Sequence, residues 1–326
     1  MCYGLPDDQA LAAARAHRAP GRRSLLKGAF AAGLGSVAAV AASAGTASAH
    51  GRGQDWDWDW GWGSAHVPRH RISLQLYSMR DDLNGDVGFD ETLRQVAELG
   101  YPRVEQALGY FGRTAEELRD FYDELGIRCT SSHDGISEDE DALRTKLRNA
   151  RTLGQSFMVV PYLQSEKLDD WKRWAEQMNQ EAAAARRFGL HYGYHNHAHE
   201  FTTDLGRGRT PWDVLTSELD PHLVHLEIDI YWAVTGGIES GDGVRDPEGF
   251  AIDVIRRAPQ RVLQYHVKDR DPETGDMCDL GTGMIDFRPI FRAHDVLEYI
   301  VENDTPDVTP QQTAAVGYDY LRGLRC

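Results

Sequence analysis

Eight short apolar runs recur along the chain, and seven of them end in a polar or ionisable residue. Segments with helical periodicity separate them. Apolar runs of about four to eight residues between such segments are typical of buried parallel strands. The pattern predicts strands at 72–77, 103–107, 127–132, 157–160, 190–195, 223–229, 262–267 and 297–302.

Helix signals fill the intervals between these strands. Thr114 and Glu117 form a capping box, Gly126 stops the same helix, and Pro211 occupies the first position of another. Further helices are predicted at 88–99, 138–153, 168–188, 247–258, 286–293 and 310–323. Strand–helix alternation over about 250 residues predicts an α/β fold, a (β/α)8 TIM barrel. A doubly wound open sheet is the alternative, but no GxGxxG motif follows the first strand to support a dinucleotide site.

The first 70 residues have a different composition from the rest. Residues 1–49 contain Arg22-Arg23, an Ala/Gly-rich run and the small-residue sequence Ala47-Ser48-Ala49, which together predict a cleaved twin-arginine signal peptide and an extracellular or periplasmic location. An uncleaved membrane anchor is the alternative. Residues 50–70 alternate Asp, Trp and Gly and predict a disordered linker. The barrel domain is therefore expected to span 71–326.

The charge of the chain limits its partners. The formal net charge is −16, which argues against nucleic acid and anionic membrane surfaces as ligands. No stretch after the signal approaches the roughly 18 apolar residues that span a bilayer, so no stable membrane insertion is expected after cleavage. A small-molecule substrate is the expected partner, and a homo-oligomer is compatible with the sequence.

Ionisable residues end the last four predicted strands. His195, Asp229, His266 and Glu302 close strands five to eight, and the carboxyl ends of barrel strands share one rim. Mixed nitrogen and oxygen donors suit a divalent transition metal such as Mn, Co, Zn or Fe. Such an ion could bind neighbouring sugar oxygens and acidify them. Polar residues that cap a barrel end without binding a metal are the alternative.

Other candidates surround this predicted metal site. Glu200 and His197, just after the fifth strand, are expected to handle substrate protons, and Lys268 could stabilise an enolate oxygen. An exposed loop lysine paired with a nearby aspartate is the alternative for Lys268. Glu105 and His133, near the ends of strands two and three, are expected to bind substrate.

Six motifs in order resemble the bacterial sugar phosphate isomerase/epimerase family, within the xylose-isomerase-like TIM-barrel superfamily. These are LQLYSMRD (74–81), YHNHAHEF (194–201), LEIDIYW (226–232), YHVKDRD (265–271), LGTGMIDF (280–287) and YIVEND (299–304). The resemblance implies a metal ion held by Asp229, His266, Glu302 and a residue of strand five, and enediolate chemistry next to a sugar carbonyl.

The chain departs from that family at two positions. Sugar epimerases usually place a glutamate at the end of strand five, whereas this strand ends in histidines, so His195 is the expected ligand and Glu200 the alternative. Related epimerases carry a histidine three positions after the strand-six aspartate, where this chain has Trp232, which is expected to pack on a sugar ring or in the core.

Together these features predict an exported, metal-dependent carbohydrate isomerase or epimerase that removes a proton alpha to a carbonyl. A metal-dependent lyase acting on a keto-glycoside is an alternative, as is a sugar-binding barrel without catalytic activity. An endonuclease of the same superfamily is a further alternative, which the acidic charge and the export signal disfavour.

Overall fold

The computed structural model describes residues 66–241 and 243–325. The predicted signal peptide and most of the predicted linker lie outside these residues, and export stays a prediction. Val67, within the predicted linker, is 4% exposed and belongs to the core. His66 also pairs with Arg325, next to the other end of the described chain. Residues 66 and 67 therefore contact the barrel domain.

The described residues form ten strands, eight of which belong to the main sheet. The strands are β1 (Ile72–Gln75), β2 (Arg103–Gln106), β3 (Arg128–Ser132), β4 (Phe157–Val160), β5 (His191–His195), β6 (Val224–Asp229), β7 (Val262–Val267), β8 (Asp269–Arg270), β9 (Met277–Cys278) and β10 (Glu298–Val301).

Helices separate the strands of the main sheet. Those of the described residues are α1 (Arg80–Asn84), α2 (Phe89–Glu98), α3 (Ala115–Leu125), α4 (Glu140–Leu153), α5 (Leu168–Arg187), α6 (His199–Thr202), α7 (Pro211–Glu218), α8 (Ile230–Glu239), α9 (Pro247–Arg257), α10 (Phe287–Ala293) and α11 (Pro310–Gly323). Short 3-10 helices cover Arg69–Arg71 and Leu76–Met79.

The main sheet is parallel and curls into a nearly closed barrel, in the order β3-β2-β1-β10-β7-β6-β5-β4. A bridge between His133 and Val159 joins its two edge strands. Two backbone bonds of 2.8 Å, from Ser156 N–H to the Thr130 carbonyl and from Asp134 N–H to the Val159 carbonyl, also cross this gap. The fold is the (β/α)8 TIM barrel that the sequence predicts.

Local chemistry explains why the predicted helix boundaries hold. The Thr114 hydroxyl accepts the Glu117 N–H while the Glu117 carboxylate accepts the Thr114 N–H, so both ends of the capping box form. The same helix, α3, stops at Gly126, whose φ of 69° is a left-handed conformation that glycine adopts without steric cost. The stop at Gly126 fixes where the following strand, β3, begins.

Two features after strands β6 and β7 are absent from the sequence-based prediction. The helix α8 begins directly after β6, because the Asp229 carboxylate accepts the Trp232 N–H and caps it. A small antiparallel hairpin, β8 with β9, follows β7. Both lie at the carboxyl end of the barrel and so border the candidate site.

The barrel places its apolar core outside the strands and polar side chains inside. Leu74, Val104 and Leu226 pack between strands and helices and are fully buried. Gln75, Glu105, Glu227, His266 and Glu298 are also 0% exposed. Helices of sufficient length and apolarity to cross a bilayer are not found within 66–241 and 243–325.

Candidate functional site

The carboxyl ends of four neighbouring strands bring together His195, Asp229, His266 and Glu302, which we call the rim cluster. One ligand atom from each of Asp229, His266 and Glu302 lies within 4.8 Å of the others. A second group, made of His133, His195, Glu227 and His266, meets the same distance limit and shares His266. The bonds around each imidazole distinguish the two groups.

Both ring nitrogens of His266 face carboxylate oxygens. Nδ1 lies 2.5 Å from Glu302 Oε2, and Nε2 lies 2.7 Å from Glu105 Oε1 and 3.0 Å from Glu227 Oε1. Burial alone would lower the pKa of His266, but the carboxylates of Glu227, Glu302 and Glu105 raise it well above its usual range. Without a metal ion, therefore, this ring carries both protons and donates from both sides.

The two ring nitrogens of His195 face different carboxylates, Glu227 and Asp229. Its Nδ1 lies 3.1 Å from Glu227 Oε1, and its Nε2 lies 3.6 Å from Asp229 Oδ2. Burial and the neighbouring His266 lower the pKa of His195 to about 3, so the ring is neutral at pH 7. If Nδ1–H donates to Glu227, the Nε2 lone pair points towards a carboxylate oxygen. These two atoms then present lone pairs to each other, and a cation bound between His195 Nε2 and Asp229 Oδ2 would be attracted to both.

Glu105 and Glu227, which we call the floor carboxylates, lie beneath the rim cluster. The amide oxygen of Gln75 accepts the Tyr77 N–H, which fixes the orientation of the amide. The amide nitrogen is therefore the donor to Glu105 Oε1 at 2.7 Å and to His133 Nδ1 at 3.2 Å. The other ring nitrogen of His133, Nε2, lies 2.9 Å from Glu227 Oε1. Burial would lower the pKa of His133, but Glu105 and Glu227 raise it to about 9. His133 is thus oriented as a hydrogen-bond donor to the floor.

The floor carboxylates differ in charge. Burial and the proximity of Glu227 raise the pKa of Glu105 to about 7. Burial opposes ionisation of Glu227 as well, but His266 and hydrogen bonds from His133 and His195 hold its pKa well below the usual range. Glu227 is therefore the ionised acceptor on which the three imidazoles converge.

Either group could hold a divalent metal ion, and the hydrogen bonds of the imidazoles favour the rim cluster. Imidazole ligands of metals commonly donate their other N–H to a carboxylate, which fixes the ring and makes it more basic. His195 and His266 both have such a carboxylate below them, and both direct the remaining nitrogen towards Asp229 or Glu302. Two imidazoles and two carboxylates form a donor set that suits Mn, Fe, Co or Zn.

Backbone contacts hold the ends of β5 and β6 together at this site. The Asn196 side chain donates to the Asp229 carbonyl (3.2 Å) and accepts the Asp229 N–H (3.1 Å). Asp229 Oδ1 is used in capping α8, while Oδ2 faces the rim cluster. The cap therefore fixes which oxygen of Asp229 is available to a ligand.

Lys268 lies among carboxylates rather than in an exposed loop. Its side chain is 2% exposed, and Nζ lies 2.7 Å from Glu302, 3.1 Å from Asp229 and 3.1 Å from Asp304. Burial would lower the pKa of Lys268, but these three carboxylates raise it well above its usual range. The alternative of a surface lysine is therefore wrong, and stabilisation of a substrate oxyanion by Lys268 stays a prediction.

His197, Trp232 and Tyr162 form an aromatic wall beside the rim cluster. The His197 ring centroid is 5.1 Å from that of His195, 5.3 Å from that of Trp232 and 5.0 Å from that of Tyr162. Burial lowers the pKa of His197 well below its usual value, so this ring is neutral. Within the described residues, His197 Nδ1 and Trp232 Nε1 have no hydrogen-bond partner.

Glu200 occupies a different environment from the other candidates. One carboxylate oxygen accepts the Tyr194 hydroxyl at 2.5 Å, and the other accepts the His197 N–H at 2.8 Å. Tyr194 precedes the inward-facing His195, so it points to the outer side of the barrel wall. The structure therefore does not bring Glu200 into the rim cluster, and a catalytic role for it stays a prediction.

Sequence reasoning missed Glu227 and Asp304. Glu227 lies two residues before Asp229, and Asp304 lies two residues after Glu302. Alternation in a strand places residues two apart on the same face, so the pattern that identified Asp229 could also have identified Glu227. Asp304 lies beyond the end of β10, where alternation carries less information.

Comparisons with known proteins identify the family and the fold of the chain. The sequence profile of the family described as "Xylose isomerase-like TIM barrel" matches residues 93–322. No curated protein is detectably similar to the chain. Among solved structures, a sugar phosphate isomerase/epimerase from Parabacteroides distasonis has 24% sequence identity and a TM-score of 0.63, covering 79% of this chain and 96% of that one.

More distant structures share the fold. D-psicose 3-epimerase from Clostridium cellulolyticum H10, solved with D-tagatose, has 15% identity and a TM-score of 0.55, covering 78% of this chain and 100% of that one. The IOLI protein with a bound zinc atom has 13% identity and a TM-score of 0.55, covering 76% of this chain and 95% of that one. At these identities the likeness establishes the fold alone.

Proposed function

The chain belongs to the xylose isomerase-like TIM barrel family, and from that premise we propose that it is a divalent-metal-dependent carbohydrate isomerase or epimerase. The observation that carries the proposal is the rim cluster, in which neighbouring strands direct His195, Asp229, His266 and Glu302 to one place. A bound dication would supply Lewis acidity to a sugar carbonyl and lower the pKa of the adjacent C–H.

The residues of the chain provide the other parts of such a reaction. A proton acceptor is required beside the carbonyl, and the sequence offers Glu200, Glu302 and His197 for this role. Glu200 is hydrogen-bonded outside the rim cluster, and Glu302 faces His266 and Lys268. His197 fits best, because its ring is neutral and its Nδ1 has no partner within 66–241 and 243–325.

Trp232 and Tyr162 could hold the substrate next to that acceptor. Aromatic faces pack well against the C–H faces of sugar rings, and both residues flank His197. A lyase acting on a keto-glycoside would begin with the same proton abstraction. The lyase reaction would differ only in the later step, in which a group is eliminated from the substrate.

Metal content tests the proposal directly. Asp229→Ala and His266→Ala should each lose bound Mn²⁺ and catalytic activity together, whereas Asp253→Ala, in an exposed ion pair with Arg257, should lose neither. Metal can be measured by elemental analysis after Mn²⁺ loading and gel filtration. Full metal loading of both rim variants would refute the site.

Deuterium exchange tests the chemistry separately from binding. The Mn²⁺-loaded protein should incorporate deuterium from D₂O at the carbon next to the carbonyl of a keto-sugar, and a panel that includes D-fructose and D-tagatose can be followed by NMR. Isomerised product indicates an isomerase or epimerase, and an eliminated group indicates a lyase. Metal binding without exchange at any sugar would leave only a sugar-binding barrel.

A further inference from the structure

The ammonium of Lys268 is surrounded by three carboxylates. It contacts Glu302 Oε2 at 2.7 Å, Asp229 Oδ2 at 3.1 Å and Asp304 Oδ2 at 3.1 Å. Nζ donates a hydrogen bond to Asp304 Oδ2, whereas the contact with Asp229 is an ion pair by distance, and Asp229 Oδ2 has no hydrogen-bond partner within the described residues. The side chain is 2% exposed, which leaves water little part in its solvation.

Two of those oxygens are the ones that a metal ion in the rim cluster would need. Glu302 Oε2 is the oxygen next to His266 Nδ1, and Asp229 Oδ2 is the oxygen that faces His195 Nε2. An ammonium and a dication close to the same oxygens repel each other strongly in a buried site. Lys268 and the metal ion therefore compete for the same carboxylates.

The third carboxylate differs from the other two. Asp304 is outside the rim cluster, and its side chain is 13% exposed, against 0% for Asp229 and 5% for Glu302. Its backbone is fixed, because its carbonyl accepts from Arg80 at 2.5 Å and its N–H points to the Met277 sulfur at 3.3 Å. Asp304 can thus keep hold of an ammonium that has left the other two carboxylates.

We propose that Lys268 is an internal competitor that sets the metal affinity of the rim cluster, and that Asp304 is the acceptor it retains when the ion binds. The proposal rests on the proposed function only for the choice of metal ligands. Without an ion, the ammonium would offset the buried negative charge of Asp229 and Glu302. When a dication arrives, the ammonium moves towards Asp304 and the two carboxylates become ligands.

A double-mutant cycle with Mn²⁺ as the probe tests this exchange. Lys268→Met should bind Mn²⁺ about tenfold more tightly than the wild type, a coupling within the usual range for linked sites. Asp304→Asn should bind it several-fold more weakly, because the ammonium then depends on Asp229 and Glu302 alone. In the double variant the effect of Asp304→Asn should disappear, since no ammonium remains to be held. Dissociation constants can be measured by calorimetry on metal-stripped protein.

The matched control is Lys146→Met, which removes another largely buried ammonium, 2.8 Å from Glu181 and away from the rim cluster. It should leave the Mn²⁺ affinity unchanged. If Lys268→Met does not fold, Lys268→Gln removes the charge while keeping a polar side chain. Unchanged or weaker Mn²⁺ binding in the folded Lys268 variant would overturn the proposal. So would an effect of Asp304→Asn that persists without Lys268.

Failure of this inference can be told apart from failure of the proposed function. If the wild type binds Mn²⁺ but the cycle shows no coupling between Lys268 and Asp304, only the competition is wrong. If neither the wild type nor any variant binds Mn²⁺, both proposals fall.

Discussion

Two layers of buried polar side chains fill the barrel, and they differ in how donors and acceptors are matched. In the lower layer, Glu298 accepts from the Thr130 hydroxyl and from the Gln264 amide at 3.3 Å. The Gln264 amide oxygen in turn lies 2.9 Å from His225 Nε2. Donors and acceptors alternate along this chain of contacts, although His225 Nδ1 has no hydrogen-bond partner within the described residues.

The upper layer, which is the rim cluster with Lys268, brings several hydrogen-bond acceptors close to one ammonium group. Asp229 and Glu302 share one ammonium, and the neutral His195 directs a nitrogen at Asp229 Oδ2 from 3.6 Å. Both layers are buried, so burial of polar groups alone does not mark a binding site. What marks the upper layer is that Asp229 Oδ2 has no hydrogen-bond partner within the described residues, although it faces both Lys268 and His195.

The lower layer also shows how closely the barrel is packed. At Gly193 an added Cβ would lie 2.5 Å from the His225 ring, so the ring occupies the space that a side chain on β5 would take. That ring connects β5 and β6 beneath the site. The lower layer thus acts as a base for the floor carboxylates above it.

Exchange of Glu227, a floor carboxylate directly beneath the rim cluster, for glutamine should have the largest effect on the upper layer. Glu227→Gln removes the charge that orients His133, His195 and His266, and loss of such a carboxylate typically weakens metal binding by about 10- to 100-fold. Glu298→Gln, a matched change in the lower layer, should leave metal affinity unchanged. Calorimetric titration with Mn²⁺ measures both. Equal losses in the two variants would show that the layers are not functionally distinct.

The pH dependence of metal binding should follow from His266. Its raised pKa means that the metal-free ring is protonated at neutral pH, and a metal ion must displace the Nδ1 proton before it can bind there. Affinity should therefore rise with pH, by about tenfold per pH unit for one released proton. Mn²⁺ titrations between about pH 6 and pH 8, repeated in buffers of different ionisation enthalpy, count that proton. An affinity independent of pH would contradict the assignment.

The architecture of the barrel was predictable because it depends on local patterns. The strand predicted at 262–267 is Val262–Val267, and the helix predicted at 310–323 is Pro310–Gly323. Both are specified by short apolar runs and capping residues that act within a few positions. The helix α8 was missed because its N-cap, Asp229, also reads as the end of a strand.

The site was only partly predictable, because its chemistry depends on how deep each side chain lies in the barrel and on the closure of the barrel. The sequence identifies Asp229, His266 and Glu302 as strand-end residues, and closure of the barrel brings them together. It does not reveal that Glu227, one step deeper, accepts three imidazoles. Nor does it reveal that Lys268 meets Asp304 across the rim, since that contact depends on how loops leave neighbouring strands.

Substitution of Glu200 is expected to change metal binding least, and it tests the catalytic role that the sequence predicts for this residue. Glu200→Gln replaces one acceptor oxygen with an amide donor, facing either the Tyr194 hydroxyl or the His197 N–H. Leaving a buried group unsatisfied typically costs about 1–3 kcal/mol, so denaturant unfolding should show that loss. Tyr194→Phe serves as its partner control, and Mn²⁺ affinity should not change in either variant. A fall in catalytic rate with stability intact would instead place Glu200 on the substrate side.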